Sequence, residues 1–162
     1  MIGTMTPQVI HFYRVGAPWG EFSNFAPYPM AVDGQLWPTS EHYFQASKFS
    51  DATHAEAIRL CGSPREAARL GRDRQHPLRA DWETVKDDVM RRALHAKFTQ
   101  HPALTELLLS TGDAVLVEHT ANDAYWADGG DGSGLNRLGT LLMELRERSR
   151  SSAAMSSLKD TP

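Results

Sequence analysis

A single cysteine, Cys61, is all the thiol chemistry in this 162-residue chain, so no internal disulfide can form and a reducing compartment is expected. No apolar run approaches the roughly 20 residues that cross a bilayer, and the amino end lacks the charged-then-apolar pattern of a signal peptide. A cytoplasmic protein without membrane contact is the expectation. Charge of one sign is scarce as well. The 17 Lys and Arg against 20 Asp and Glu leave a net −3, which argues against holding nucleic acid by bulk attraction, although a local basic pocket stays open. The seven histidines contain no i, i+4 pair, so no metal is expected, and no cofactor either. Neither a G-x-S-x-G elbow nor the Gly-Lys-Ser/Thr ending of a P-loop occurs. No internal repeat is visible, and one domain is the economical reading for this length.

What is present concentrates in a few stretches. Pro38 to Phe49 reads as a helix opening, with Thr39 and Ser40 supplying cap chemistry. At about 100° per residue, Glu41, Gln45 and Lys48 share one narrow arc, flanked by Phe44 and Phe49. A carboxylate, an amide and an amine in an apolar frame suit chemistry; the same spacing also suits a surface helix with an ordinary Glu/Lys pairing. Upstream, Val9–Tyr13 is β-prone, and Gly16–Pro29 is an aromatic-rich ordered loop centred on Glu21-Phe22-Ser23-Asn24-Phe25. Asp33-Gly34 between β-prone runs is the strongest hairpin signal, and it feeds the Glu41 helix.

Downstream, Ser63-Pro64-Arg65-Glu66 carries an N-cap, a proline at the first helical position and a capping box. Arg65, Arg69, Arg72, Arg74 and Arg79 form either a solvated face or a phosphate clamp. Asp81 is placed to cap an amphipathic helix over about 82–99, with Lys86 and Lys97 snorkelling at its margin. A further helix from Pro102 and a strand over 114–119 follow. The loop Asn122–Gly134 then concentrates Tyr125, Trp126, three aspartates (Asp123, Asp128, Asp131) and the glycines Gly129 and Gly130, just before a last helix expected over 135–148. Such a loop either takes tight turns for its own sake or backs onto a ligand, and the helix start invites an anion. Carboxylates, one placed lysine and several large rings together suit chemistry on a sugar attached to a flat heterocycle.

Several segments in series resemble the NADAR superfamily, most closely its YbiA-like branch of N-glycosidases acting on early riboflavin-pathway intermediates. They are Glu21–Phe25, Asp33–Phe49, Ala67–Arg72, Trp82 with Met90–Leu94 and Lys97-Phe98, and Leu116–Thr120 through Asp123–Trp126 to Asn136–Gly139. The resemblance implies an α+β fold: a single compact, mainly helical domain with a few short strands, over residues 8–149. A flexible leader (1–7) and a disordered tail (150–162) would flank it. It also implies cleavage of a C–N glycosidic bond of a ribosylamino-pyrimidine 5′-phosphate. Catalytic roles then fall on Glu41, Lys48, Asp123 and Asp128, and substrate contacts on Asn24, Phe25, Arg72, Trp82, Trp126, Gly129, Gly130 and Asn136. Ala127 stands where relatives commonly have glycine. Two rival activities accompany the resemblance: removal of ADP-ribose from guanine, in which case nucleic acid enters only as an ADP-ribosylated substrate, and non-catalytic binding of ADP-ribose or a nucleotide.

Overall fold

The computed structural model describes residue 3 and residues 6–159; residues 1, 2, 4 and 5 of the expected leader and 160–162 of the expected tail lie outside the described residues. Within them run β1 (Val9–Phe12), a 3-10 turn (Gly20–Phe22), β2 (Met30–Val32), β3 (Gln35–Trp37), α1 (Ser40–Ala46), α2 (Ala52–Leu60), α3 (Pro64–Gly71), α4 (Trp82–Gln100), α5 (Pro102–Ser110), β4 (Val115–Glu118) and α6 (Arg137–Lys159). The result is α+β and mainly helical, as expected. No described helix is long and apolar enough to cross a membrane.

Local chemistry explains most of these boundaries. Asp33 and Gly34 sit at φ 53° and 78°, the doubly left-handed turn that twists β2 and β3 into an antiparallel hairpin. Thr39 Oγ1 accepts the His42 amide and Ser63 Oγ accepts the Glu66 amide, so α1 and α3 begin where their caps lie. Asp81 departs from expectation. Its carboxylate is taken by Arg79, 2.6 Å from Nε, and makes no cap bond to α4.

The last helix is both later and longer than expected. Asn136 adopts φ 50°, outside helical geometry, so α6 starts at Arg137. It then continues to Lys159, over residues 150–159 of the tail expected to be disordered. No glycine or proline interrupts 148–159, alanines favour helix, and Ser151 Oγ bonds back to the Glu147 carbonyl. Residues 151–158 are exposed, so helix propensity and local hydrogen bonds carry this extension.

All seven residues of α1 are buried. The helix lies between two apolar clusters: Phe44 joins one with Phe22, Trp82, Leu94, Phe98, Leu116 and Leu142, and Tyr43 joins the other with Met30, Trp37, Phe49 and Ile58. Parallel pairing of β1 with β4 brings residues 9–12 beside 115–118. These packings aim the chain after β1, the first turns of α1 and the end of β4 at one place.

Candidate active site

The amino end of α1 is clamped before any side chain points outward. Asn24 O accepts the Glu41 amide at 3.2 Å, and Asn24 Oδ1 accepts Ser40 Oγ–H at 2.7 Å. Lys97 fixes the loop that carries Asn24: its Nζ, fully buried, donates to the carbonyls of Glu21 (2.6 Å) and Ser23 (2.9 Å). This corrects the expectation that Lys97 snorkels toward solvent.

Between this loop, α1, α3 and the segment after β4 lies a cavity of about 770 Å³. Glu41, Phe44 and Gln45 line it from α1, with Lys48 just beyond. Asn24 and Phe25 contribute from the loop, Arg72 from the end of α3, and Asp123 and Trp126 from the segment after β4. Seven of the twelve residues singled out from the sequence therefore meet in one place. Phe25 remains 40% exposed and Trp126 packs edge-on to Phe44, so both offer ring surface to a flat ligand.

Charge is distributed unevenly around the cavity. Burial pushes the Glu41 carboxyl above its ordinary range, opposed by the Gln45 bond (Nε2 to Oε1, 2.7 Å) and by the charges of Lys48 and Arg72. Burial also brings the Lys48 ammonium down to about 8, which Glu41 opposes. The Lys48 backbone is held in turn, its carbonyl accepting the Arg79 amide at 2.8 Å. Of the crowded arginines, Arg69 and Arg79 are engaged by Glu66 and Asp81, and Arg74 donates to the Gly71 carbonyl. Arg72 has no such partner among the described residues and faces the cavity.

Five expected site residues lie elsewhere. Trp82 is buried in the core beneath Phe44, ring centroids 5.2 Å apart, and supports the cavity wall without presenting a stacking face. Asp128 is consumed by its own loop: Oδ1 accepts the amides of Thr120 and Gly130, and Oδ2 lies 2.7 Å from His119 Nδ1. Burial works against its charge, yet these bonds hold it below the ordinary carboxylate range. Gly129 and Gly130 take φ of 73° and 85°, and their amides go to Asp123 O and Asp128 Oδ1. Asn136 bridges β4 to α6, accepting the Glu118 amide and donating to the Leu116 carbonyl. The start of α6 offers no anion site either. The amides of Leu135, Asn136, Arg137 and Leu138 all donate to carbonyls of residues 124–127.

Two features went unread in the sequence. Glu118 also lines the cavity. A cluster of His11, His119 and Asp128 places potential ligand atoms within 4.8 Å of one another. Asp128 is saturated as described, so that cluster offers an ion little beyond two exposed imidazoles.

Gly71 sets a close approach that bears on the acid. A Cβ there would fall 1.9 Å from Gln45 Oε1, whose buried oxygen has no hydrogen-bond partner. Gly71→Ala is expected to swing the Gln45 amide away from Glu41 and cut kcat/KM about tenfold. Helix propensity gained at Gly71 leaves stability within about 1 kcal/mol of the parent. Steady-state kinetics beside a denaturation curve checks both halves.

Residues 11–150 match the NADAR domain family. N-glycosidase YbiA of Escherichia coli (strain K12) is 61% identical over 144 residues, covering 89% of this chain and 90% of that protein. The riboflavin biosynthesis protein PYRR of Zea mays, chloroplastic, is 45% identical over 153 residues, 85% of this chain but 25% of that longer protein. Among solved structures, the NMR structure of E. coli YbiA superposes with a TM-score of 0.85 at 57% identity, covering 98% of this chain and 92% of that one.

Proposed function

This chain belongs to the NADAR family and is a hydrolase of N-glycosyl bonds, and from there we propose that its substrate is a ribosylamino-pyrimidinone 5′-phosphate, split to ribose 5-phosphate and the free aminopyrimidine. The observation that carries this reading is the shared cavity, with carboxylates (Glu41, Asp123), cations (Lys48, Arg72) and open aromatic faces (Phe25, Trp126) around one space. The name of the maize relative, a riboflavin biosynthesis protein, supports the choice of heterocycle. A reducing, cytoplasmic setting fits the single half-buried thiol.

The ring of the pyrimidinone stacks between Phe25 and Trp126, and the Arg72 fork takes the 5′-phosphate. Asn24, held by Ser40, lines the sugar end. Glu41 faces the anomeric carbon, where positive charge grows as the C–N bond stretches, and its carboxylate stabilises that charge. Asp123 accepts the proton of the attacking water. Its Oδ1 is already fixed by the amides of Tyr125 and Trp126 at 2.8 and 2.7 Å, which holds the carboxylate in place. Lys48, mostly protonated at neutral pH with its value near 8, serves as charge partner to Glu41 and the phosphate.

Borohydride added during turnover is expected to leave no sugar adduct on Lys48, by mass spectrometry of the peptide. A trapped adduct there replaces water attack by an imine route. Product release measured side by side from the pyrimidine ribotide, ADP-ribosylated guanosine and NAD tests the substrate. Turnover of the ribotide at least tenfold above the others is the expected result; preference for ADP-ribosylated guanosine moves the assignment to the ADP-ribosyl branch.

A further inference from the structure

Glu118 lines the reaction cavity, yet the reaction just described gives it no work. Its backbone is fixed on both sides: the amide donates to Asn136 Oδ1 at 3.0 Å and the carbonyl accepts the Asp128 amide at 2.9 Å. The residue ends β4 opposite Phe12 of β1, so a sheet position aims it, not a free loop. Its carboxyl makes no hydrogen bond or ion pair among the described residues.

The surroundings of that carboxyl are one-sided. Glu41 and Asp123 line the same cavity, and their charges, with that of Asp128 behind its loop, act on it. Tyr13 and Arg14, after β1, line the same cavity. The cations Lys48 and Arg72 act on Glu41, whereas every charged group that raises or lowers Glu118 is an acid. Burial first, and then these three acids, push it up to about 8. A carboxyl group in this position carries its proton at neutral pH.

We propose that Glu118 is the general acid of the N-glycosidase reaction, donating its proton to the nitrogen that leaves the anomeric carbon. The proposal rests on the hydrolase reading above. In the step itself the C–N bond breaks, its electron pair stays on nitrogen, and the Glu118 proton joins that nitrogen, so the heterocycle leaves as a neutral amine. Water oxygen bonds to the anomeric carbon and its proton passes to Asp123. Transfer of that proton through solvent to Glu118 restores the starting state, with one water consumed. The two acids divide the work by environment, Asp123 anchored by two amides and Glu118 unpartnered among acids.

Four measurements on the full chain test this. Glu118→Gln is expected to lower kcat on the pyrimidine ribotide about 100-fold or more. On 4-nitrophenyl β-ribofuranoside 5-phosphate, whose leaving group needs no proton, the loss is expected to stay within about fivefold. The parent's kcat/KM on the ribotide should fall above about pH 8 as Glu118 and Lys48 both lose protons, and in the variant only the Lys48 part of that fall should remain. Equal losses on both substrates, or an equally steep fall in the variant, overturn the proposal. Infrared titration of the labelled carboxyl, by parent-minus-Glu118→Gln difference, needs no turnover: ionisation already complete at pH 6 overturns the assignment whatever the substrate. Failure of the hydrolase reading looks different, with the parent inactive on both glycosides while Glu118 still titrates near pH 8.

Discussion

Glu41→Gln is expected to reduce kcat/KM by about 10³-fold without unfolding the protein. The size follows from what is lost: a buried carboxylate aimed at developing positive charge, where fixed charge is worth about 3–4 kcal/mol in the transition state. The structure is expected to tolerate the change. Glu41 is 8% exposed and isosteric with glutamine, its backbone stays clamped to Asn24, and its side-chain hydrogen-bond partner Gln45 can meet an amide as well as a carboxylate. Burial raises this carboxyl, so folding favours its protonated form, and the stability it contributes is present at low pH and lost as pH rises. Removing the charge therefore leaves the variant no less stable at pH 7. Circular dichroism melts alongside initial rates separate the two effects. Activity within tenfold of the parent would sink the assignment of Glu41.

The second large effect is one of stability. Lys97→Ala is expected to cost about 4 kcal/mol, a large share of what holds a domain of this size together. Two contributions add. Shortening a fully buried side chain leaves a void beside Tyr28 and Phe98, whose ring centroids lie 5.6 Å from Nζ. The Glu21 and Ser23 carbonyls also lose their donor, at about 1–3 kcal/mol for groups left unpaired in the interior. Lys97→Met keeps most of the volume and is expected to cost about half as much, since it also removes a buried amine. Because the freed loop carries Asn24 and Phe25, KM for the substrate should rise in both variants. Urea titration within 1 kcal/mol of the parent for Lys97→Ala would show the loop to be held by something else.

Glu118 adds a pH dependence of its own. Unfolded, it loses its proton near 4.5; folded, it keeps it to about 8. Between those values the folded protein binds more protons, so this residue's contribution to stability is complete below pH 4.5 and is lost as pH rises toward 8. Glu118→Gln is expected to relieve that loss, on the order of 4 kcal/mol at pH 8. A catalytic acid held at so unnatural a value is a local cost to the fold.

Signals carried by neighbouring residues were legible in the sequence. Asp33-Gly34 specifies its turn within two residues, Ser63 reaches an amide three positions on, and the arc of Glu41, Gln45 and Lys48 follows from helical rotation alone. Roles settled by distant partners were not. Trp82 and Trp126 are the same residue type and both pack on Phe44, yet Trp82 is buried in the core while Trp126 lines the cavity. Asp123 and Asp128 look alike in the chain, yet His119 and two amides consume the second. For Glu118 a signal did exist: period-two alternation puts it on the face of β4 shared with fully buried Leu116, and a carboxylate on the inward side of a strand asks for an explanation. The snorkelling expected of Lys97 failed for a related reason, because the carbonyls that receive it lie far back in the chain.

The parallel pairing of β1 with β4 has a consequence for how the protein is made. Val9 emerges from the ribosome early, and its partner, Val115, only after most of the domain has been synthesised. Until then the first strand has no mate, and the residues following it cannot close their side of the cavity. Helix α6 comes later still, and Asn136 at its threshold is what ties β4 down. Locally encoded pieces such as the hairpin and α3 can form during translation, but the hydrolytic centre assembles only once the final helix is free to dock.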